Sequence, residues 1–198
     1  MLRSSFKHKT YMKFSVILLS SLLFSFITSS QSDCIKTEFI CDFENAILEA
    51  ECVKVLYLEN EILIEDTMLQ FINLKKVILV NCNSEDFIQY AYKFSNLESL
   101  TIQYNINSIP KSIGNCNNLQ ELIIFNSEIE KIPNTIENLV SLKTLKLNYS
   151  LIKDVPKELF TLKGLKFLSL NWGENLSFLS DKVQKNIISN LPNCKCIF

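Results

Sequence analysis

Histidine, cysteine and carboxylate side chains carry much of enzyme chemistry, and their numbers in this sequence exclude its commonest forms. Seven cysteines and 21 acidic residues stand beside a single histidine, His8. The rest of the chain therefore has no nucleophile–histidine dyad or triad and no histidine zinc site. Three glycines could hardly build a phosphate-binding loop. Carboxylate pairs could in principle hydrolyse glycosides, but the acids here are typical of a solvated surface. We expect neither an enzyme nor a bound cofactor.

A second group of side chains suits recognition rather than catalysis. Aromatic residues recur along the chain next to side-chain amides. Tyrosine and tryptophan combine apolar area with a polar group, which makes them typical of binding surfaces when they are exposed. The aromatic residues are Tyr57, Tyr104, Phe125, Tyr149 and Trp172, and the amides are Gln103, Asn126, Asn148 and Asn171. Whether they share one surface depends on the elements that carry them.

The charge distribution limits the partners. The first 30 residues hold four basic residues and no acid, which leaves 16 lysines against 21 acids, a balance of −5, in the remainder. That remainder has no arginine. Because nucleic-acid binding needs a basic patch that releases counterions, we expect no nucleic-acid partner.

An export signal is predicted at the start of the sequence. Residues 14–27 form an apolar run, preceded by basic residues and followed by small polar residues. A transmembrane helix needs roughly 20 apolar residues, so the run is typical of a secretory signal peptide. We predict this signal over residues 1–30, with Met12 as an alternative start and Ser32 as an alternative cleavage point. The mature protein would be secreted or held in the cell envelope without a membrane span. An uncleaved anchor and a lipoprotein signal at Cys34 are the weaker alternatives.

The elements that must position the binding residues are set by an internal repeat. The pattern Leu-x-x-Leu-x-Leu, with Ile or Val replacing some Leu, recurs six times at offsets of 21, 23, 22, 23 and 23 residues. A second pattern, Ile-Pro-x-x-Ile or Val-Pro-x-x-Leu, follows three of the copies, at Pro110, Pro133 and Pro156. Two patterns in one register indicate stacked structural repeats. The six copies begin at Val53, Leu74, Leu97, Leu119, Leu142 and Leu165.

This arrangement resembles the leucine-rich-repeat family, in the subclass with an Ile-Pro-x-x-Ile second half, over roughly residues 53–198. The resemblance implies an α/β solenoid, a horseshoe with a concave parallel β-sheet and short helices or turns on the convex side. The physics agrees, because one strand and its return cannot bury their own leucines without neighbours. The three prolines suit the first turn of a short helix. In the second repeat, Ser84 as N-cap with two acids behind it predicts a longer helix, to about Phe94.

The sequence departs from the family at the ninth position of the repeat. The family often has asparagine there, and its side chain holds the turn. Only Asn105 fits fully, while Cys82 and the serines are partial substitutes, so we expect a less regular ladder. The position holds Glu61, Cys82, Asn105, Ser127, Ser150 and Gly173.

Both ends of a solenoid need a cap, since an end strand exposes core and unpaired edges. We predict an N-terminal cap over residues 31–52 and six repeats of 21–23 residues over 53–190, the last extended by a helix that begins with Ser180 as its N-cap. Residues 191–198 would form a terminal edge strand, which tolerates Pro192. The apolar stripe of the helix would be Val183, Ile187, Ile188 and Leu191.

The seven cysteines divide into two groups. Four fall on repeat positions where a cysteine behaves as a small hydrophobe. The other three, Cys34, Cys41 and Cys52, lie in the cap, where an exported chain can form one disulfide with a pairing that the sequence leaves open. No Cys-x-x-Cys pair exists, so no metal site is predicted. The first group is Cys82, Cys116, Cys194 and Cys196.

The repeat register places the aromatic and amide residues on outward strand positions, or just after them. The resemblance assigns these positions to the concave, ligand-binding face. We therefore predict a module that binds another protein through this face. A carbohydrate-binding or adhesive surface protein is the alternative, and a third interpretation has the aromatics simply packing on their strand neighbours. Asn148 and Asn175 also match glycosylation acceptors, and a glycan on Asn148 would obstruct the face.

Overall fold

The computed structural model describes residues 46–47, 50–171 and 179–198, all within the unit Lys36–Phe198. The predictions for residues 1–30, Cys34, Cys41, Trp172, Gly173 and Asn175 concern residues outside this set.

Each leucine motif forms a short strand, because its alternating apolar side chains point to one side. The described residues contain a seven-stranded sheet in which all neighbours are parallel and follow one another in the chain. The register aligns one buried aliphatic residue of every strand from the first to the sixth, for example Leu56, Leu100 and Leu145. The strands are β1 Val55–Glu59, β2 Lys76–Val80, β3 Ser99–Gln103, β4 Glu121–Phe125, β5 Thr144–Asn148, β6 Phe167–Ser169 and β7 Lys195–Ile197.

Short helical segments return the chain between the strands. Three are α-helices: α1 Glu65–Met68, α2 Ser84–Tyr90 and α3 Asp181–Asn190. The others are 3₁₀ segments: Ala91–Lys93, Lys111–Asn115, Asn134–Asn138 and Lys157–Thr161. A parallel sheet on one side and short helices on the other confirm the predicted leucine-rich-repeat solenoid.

The three prolines lie directly before the short helical segments rather than in their first turn, where they were predicted. Pro110, Pro133 and Pro156 precede the 3₁₀ segments, with φ between −58° and −70° and ψ of 146° or 147°. Their backbone is therefore extended, and the proline sets the direction from which the chain enters each turn. Neighbouring 3₁₀ segments also pack closely, since a Cβ built on Gly114 would lie 2.6 Å from the Thr135 carbonyl oxygen. Only glycine fits there without displacing backbone.

Two of the ninth-position turns are held by a thiol and a hydroxyl rather than by asparagine. The Cys82 thiol donates to the carbonyls of Leu58 and Val80, and the Ser150 hydroxyl donates to the Leu147 carbonyl at 2.7 Å. The prediction for Asn105 was wrong, because this residue is exposed and donates to the Asn81 side chain instead.

A shortened turn explains the placement of Asn105. The buried residue Ile106 follows the buried Ile102 at an offset of four residues, whereas Ile129 follows Ile124 at an offset of five in the next repeat. The turn after β3 is therefore one residue shorter, and it lacks the residue whose side chain would point inward at the ninth position. The Glu85 carboxylate of α2 supports this turn by accepting the amides of Asn107 and Ser108 at 2.6 and 2.8 Å.

The helix caps were predicted with mixed success. Ser180 accepts the amide of Val183, as an N-cap should. Ser84 is not a cap but a buried first residue of α2, and the residue before it, Asn83, bonds the backbone of Leu63 in the previous repeat through both its oxygen and its nitrogen. Of the predicted stripe on α3, Ile188 is 54% exposed, because a residue next to the buried Ile187 lies about 100° around the helix.

The cysteines follow their repeat positions. Cys82 and Cys116 are buried, Cys194 and Cys196 are partly buried, and all four are free thiols. Burial raises the pKa of the Cys116 thiol to about 12. Cys52 is disulfide-bonded. The strand β7 is shorter than the predicted segment 191–198, and Pro192 lies in the turn before it.

Candidate functional site

The outward side chains of β1–β6, together with the first residue after each strand, form the surface we call the strand face. Two sets of predicted site residues lie side by side on it. Gln103, Phe125 and Asn148 are cross-strand neighbours on β3, β4 and β5. The residues that follow them continue the ladder, because the amides of Tyr104, Asn126 and Tyr149 donate to the carbonyls of Phe125, Asn148 and Asn171.

The predicted residues differ in accessibility. Tyr104 and Tyr149 are 44% and 45% exposed, and Asn126 is exposed as well. Adjacent strands lie about 4.8 Å apart, so the backbones of the two tyrosines are about 10 Å apart with Asn126 between them. The remaining predicted residues that the structure describes are half-buried: Tyr57, Gln103, Phe125, Asn148 and Asn171.

Tyr57 is not brought together with the others. It lies on β1, where its neighbour across the sheet is Ile78 of β2. Its hydroxyl donates to the Glu59 carboxylate at 3.2 Å. Trp172 lies outside the described residues, so its place relative to Tyr149 remains a prediction from the repeat register.

The backbone is left-handed just after each of the first five strands. Positive φ values occur at the first residue after each of β1–β5, namely at Asn60, Asn81, Tyr104, Asn126 and Tyr149, and also at Asn105. Asparagine tolerates this region, whereas for a bulky residue with a Cβ it is a true outlier. Tyr104 at 66° and Tyr149 at 56° therefore hold a conformation that suits the asparagines of the other repeats better.

The carboxyl-terminal edge of the strand face carries almost no charge. From β2 to β5, the last outward position of each strand and the position after it hold only apolar, amide and phenol side chains, and Asn171, two residues after β6, adds another amide. These residues are Val80, Asn81, Gln103, Tyr104, Phe125, Asn126, Asn148, Tyr149 and Asn171. Asn81 of this edge is bonded to two further amides, since Asn105 donates to Asn81 and Asn81 donates to Asn60. The Asn148 side-chain oxygen is buried without a hydrogen-bond partner among the described residues.

The glycosylation acceptor at Asn148 is not accessible in this fold. Asn148 is half-buried in β5, and Ser150, whose hydroxyl belongs to the acceptor motif, is 4% exposed and bonded to the Leu147 carbonyl. The folded chain therefore does not present this motif.

Sequence reasoning left several residues out of the candidate site. Ile78, Ile123 and Phe167 are half-buried outward residues of β2, β4 and β6, and they extend the apolar area of the strand face. Lys146 lies over the Phe167 ring, with its nitrogen 5.0 Å from the ring centroid. Their strand positions were readable from the repeat, but only aromatics next to amides were selected.

A cleft of about 400 Å³ lies on the helix side, away from the strand face. It is lined by residues of α1, α2 and the following 3₁₀ turn, including Tyr90, Tyr92 and Lys93, and Lys93 pairs there with Glu65. Burial, together with the nearby carboxylates of Glu65 and Asp86, raises the pKa of Tyr90. No cluster of three or more potential metal ligands occurs among the described residues. In that part of the chain, no helix has the length and apolarity needed to cross a membrane.

Comparison with known proteins identifies the fold. No family model and no curated protein matches the sequence. Solved structures do match: a leucine-rich-repeat protein of Leptospira interrogans has a TM-score of 0.50 and 18% identity, and the match covers 81% of this chain and 58% of that one. TLR13 in its complex with ssRNA13 has a TM-score of 0.55 and 20% identity, with 80% of this chain and 26% of TLR13 covered.

Mouse RP105, from its complex with MD-1, is similar at a TM-score of 0.55 and 21% identity, over 74% of this chain and 26% of that one. The chain thus spans just over half of the Leptospira protein and about a quarter of the other two. At these identities the likeness concerns the fold alone, and by it the described part of this chain is a leucine-rich-repeat solenoid.

Proposed function

We propose that this chain is a binding module that docks another protein on its strand face. The observation that carries the proposal is the left-handed backbone of Tyr104 and Tyr149. Such a conformation costs of order 1–2 kcal/mol for a residue with a Cβ. Strained residues of this kind cluster at ligand-binding sites, because function maintains what stability alone would remove.

The surroundings of the two tyrosines support the same function. Both residues are about half exposed, and the backbone ladder places Asn126 between them, directly after the Gln103–Phe125 pair. Rigid phenols combine apolar contact area with a polar group, and such residues carry much of the binding energy in protein interfaces. The half-buried residues Ile78 and Ile123 add apolar area toward the middle of the sheet. We propose no catalytic role for the strand face.

Export forms part of the proposal and rests on the sequence. The apolar run at residues 14–27, with basic residues before it and small polar residues after it, is the layout of a secretory signal. An exported module would meet its partner outside the cytoplasm, in the cell envelope or beyond it. The disulfide at Cys52 suits an oxidising compartment of that kind.

Capture with matched variants tests the proposal. The bait is the chain itself, and the variant is Tyr104→Asn/Tyr149→Asn, which installs the residue that other repeats carry at the same place. Tyr92→Asn is the control, because Tyr92 is also 44% exposed but lies on the helix side. We expect a protein captured by the wild type and by the control but not by the double variant. Equal capture by all three baits would refute the strand face as the binding site.

A neutral glycan is the second candidate ligand. The uncharged edge around Tyr104, Asn126 and Tyr149 offers aromatic faces and amides, which together can stack and hydrogen-bond a sugar. A glycan array probed with the chain and with the same double variant separates the two ligands. A glycan bound only by the wild type would replace the protein partner in the proposal.

A further inference from the structure

The amino-terminal edge of the sheet carries a strip of lysines that sequence analysis did not identify. It consists of Lys143, Lys166 and Lys195, and we call it the lysine strip. The Lys166 amide donates to the Lys143 carbonyl and the Lys195 amide to the Lys166 carbonyl, both at 2.8 Å. Lys143 and Lys166 directly precede β5 and β6, and Lys195 begins β7, so the three lie side by side at the start of these strands. All three side chains are exposed, and Lys143 Nζ donates to the Gln120 side-chain oxygen at 2.7 Å. Lys146, in the middle of β5, is half-buried beside Phe167.

In the first half of the sheet, the same edge carries acidic residues as well as lysines. There Lys75 pairs with Glu98 at 3.1 Å, and Glu121 accepts the Ser99 hydroxyl. Strands β5, β6 and β7 and the residue before each of them contain no acid. Like charges on neighbouring strands destabilise a sheet. The lysines of the strip therefore lower the stability of the fold, and an acidic residue in place of one of them would raise it.

We propose that the lysine strip receives an acidic segment, rich in Asp and Glu, of the protein that docks on the strand face. This inference rests on the proposed function and adds the chemistry and the orientation of the partner. Its acidic part meets the amino-terminal edge of β5–β7, and its uncharged part meets Tyr104 and Tyr149 at the carboxyl-terminal edge. Complementary charge of this kind steers association and fixes the register of a complex.

The spacing on the sheet favours a protein over a single-stranded nucleic acid. A five-residue strand is about 16 Å long, and that length separates the lysine strip from the two exposed tyrosines. In a nucleotide the base is attached close to its phosphate, so phosphates on the strip would leave the bases far from the tyrosines. A folded protein surface spans both places. The chain beyond residue 3 also lacks arginine, the side chain that binds phosphate in a bidentate manner.

The test uses defined probes and two variants of equal net charge. Fluorescent decaglutamate is titrated with the full chain at about 50 mM and about 300 mM salt, since screening weakens exposed charge pairs over this range. The strip variant is Lys143→Glu/Lys166→Glu/Lys195→Glu, and the control is Lys111→Glu/Lys157→Glu/Lys182→Glu, three exposed lysines on the helical segments or at their start. A milder triple change of the strip to Gln guards against misfolding, and circular dichroism checks each variant.

We expect the strip variant to lose about tenfold in affinity for decaglutamate at the lower salt, and the Gln variant to lose a smaller factor in the same direction. The control should stay within about twofold of the wild type. Equal losses in both Glu variants, or no binding of decaglutamate, would overturn the proposal. Preferential binding of oligothymidylate through the strip would overturn it in favour of a nucleic acid.

This outcome is separable from that of the proposed function. The change Tyr104→Asn/Tyr149→Asn should leave decaglutamate binding as it is while abolishing partner capture. If capture persists in that variant but the strip variant loses decaglutamate, the strip stands and the tyrosine site fails. If the tyrosine variant loses partner capture but the strip variant still binds decaglutamate like the wild type, the tyrosine site stands and the strip fails.

Discussion

Replacing Tyr149 by asparagine and, separately, by alanine isolates the backbone strain at this residue from the contacts of its ring. Both changes remove the ring, so both lose about the same apolar contact. They differ in the left-handed conformation, with φ of 56°, that the position demands. Alanine keeps a cost of about 1–2 kcal/mol there, whereas asparagine visits this region routinely. We expect the asparagine variant to be more stable than the alanine variant by about 1 kcal/mol.

Tyr92 provides the control for this comparison. It has nearly the same exposure as Tyr149 but lies in the 3₁₀ turn Ala91–Lys93. Helical conformations favour alanine over asparagine by about 0.5 kcal/mol, so the order of the two variants should reverse at this position.

Thermal and urea unfolding of the four variants measure the difference. For a chain of 198 residues, 1 kcal/mol corresponds to about 2–4 °C in Tm. If alanine equals or exceeds asparagine at Tyr149, the backbone there is not strained. Function would then not be needed to explain why a tyrosine is kept at this position. Partner capture should be lost equally in both Tyr149 variants, because it depends on the ring and not on the backbone.

Five further alanine substitutions test the packing of the repeats. Gly114→Ala should destabilise the chain by about 1–3 kcal/mol in urea unfolding, because the new Cβ overlaps backbone. Gly164→Ala should be almost neutral, because its Cβ would lie at ordinary contact distances of 3.8 and 3.9 Å from the Val140 and Leu142 carbonyl oxygens. Ser150→Ala should cost about 1 kcal/mol by removing the bond to the Leu147 carbonyl. Ser127→Ala, at the equivalent position, should stabilise by up to about 1 kcal/mol, since the Ser127 hydroxyl is buried without a partner; equal effects of the two changes would contradict this account. Burial raises the pKa of Cys116 from 9.0 to about 12, so the thiol ionises more readily in the unfolded chain. Stability should therefore fall between about pH 9 and 12, by up to about 1.4 kcal/mol per pH unit, and urea unfolding of Cys116→Ala should show a flatter dependence.

The period of the leucines was sufficient to predict the solenoid, because a repeat that cannot bury its own core must stack on the next one. The same register placed Gln103, Phe125 and Asn148 in one row, which the cross-strand pairing reproduces. These predictions depend on alternation along a strand, and that is a local property of the chain. The signal peptide and the N-terminal cap remain predictions from the sequence.

The third turn shows where such local reasoning failed. Counting from the leucines assigned Asn105 to the inward ninth position, although its repeat is one residue shorter in the turn than the next repeat. The chain keeps Ile106 in the core and gives up the turn residue, because burying an isoleucine is worth more than one side-chain hydrogen bond. Ser84 is a similar case, since the inward position at the start of α2 made it a buried residue rather than a cap.

The composition and spacing of the sequence determined that this chain folds as a solenoid, and they indicated which residues reach the strand face. Only the tertiary structure decided that Tyr104 and Tyr149 adopt left-handed backbone, because that conformation follows from how the ladder continues past the end of each strand. It also decided that Lys143, Lys166 and Lys195 form one strip, although the chain beyond residue 30 has more acids than lysines. Net charge is a sum over the sequence, whereas a partner meets the charge of one edge, and stacking of the repeats sets that edge.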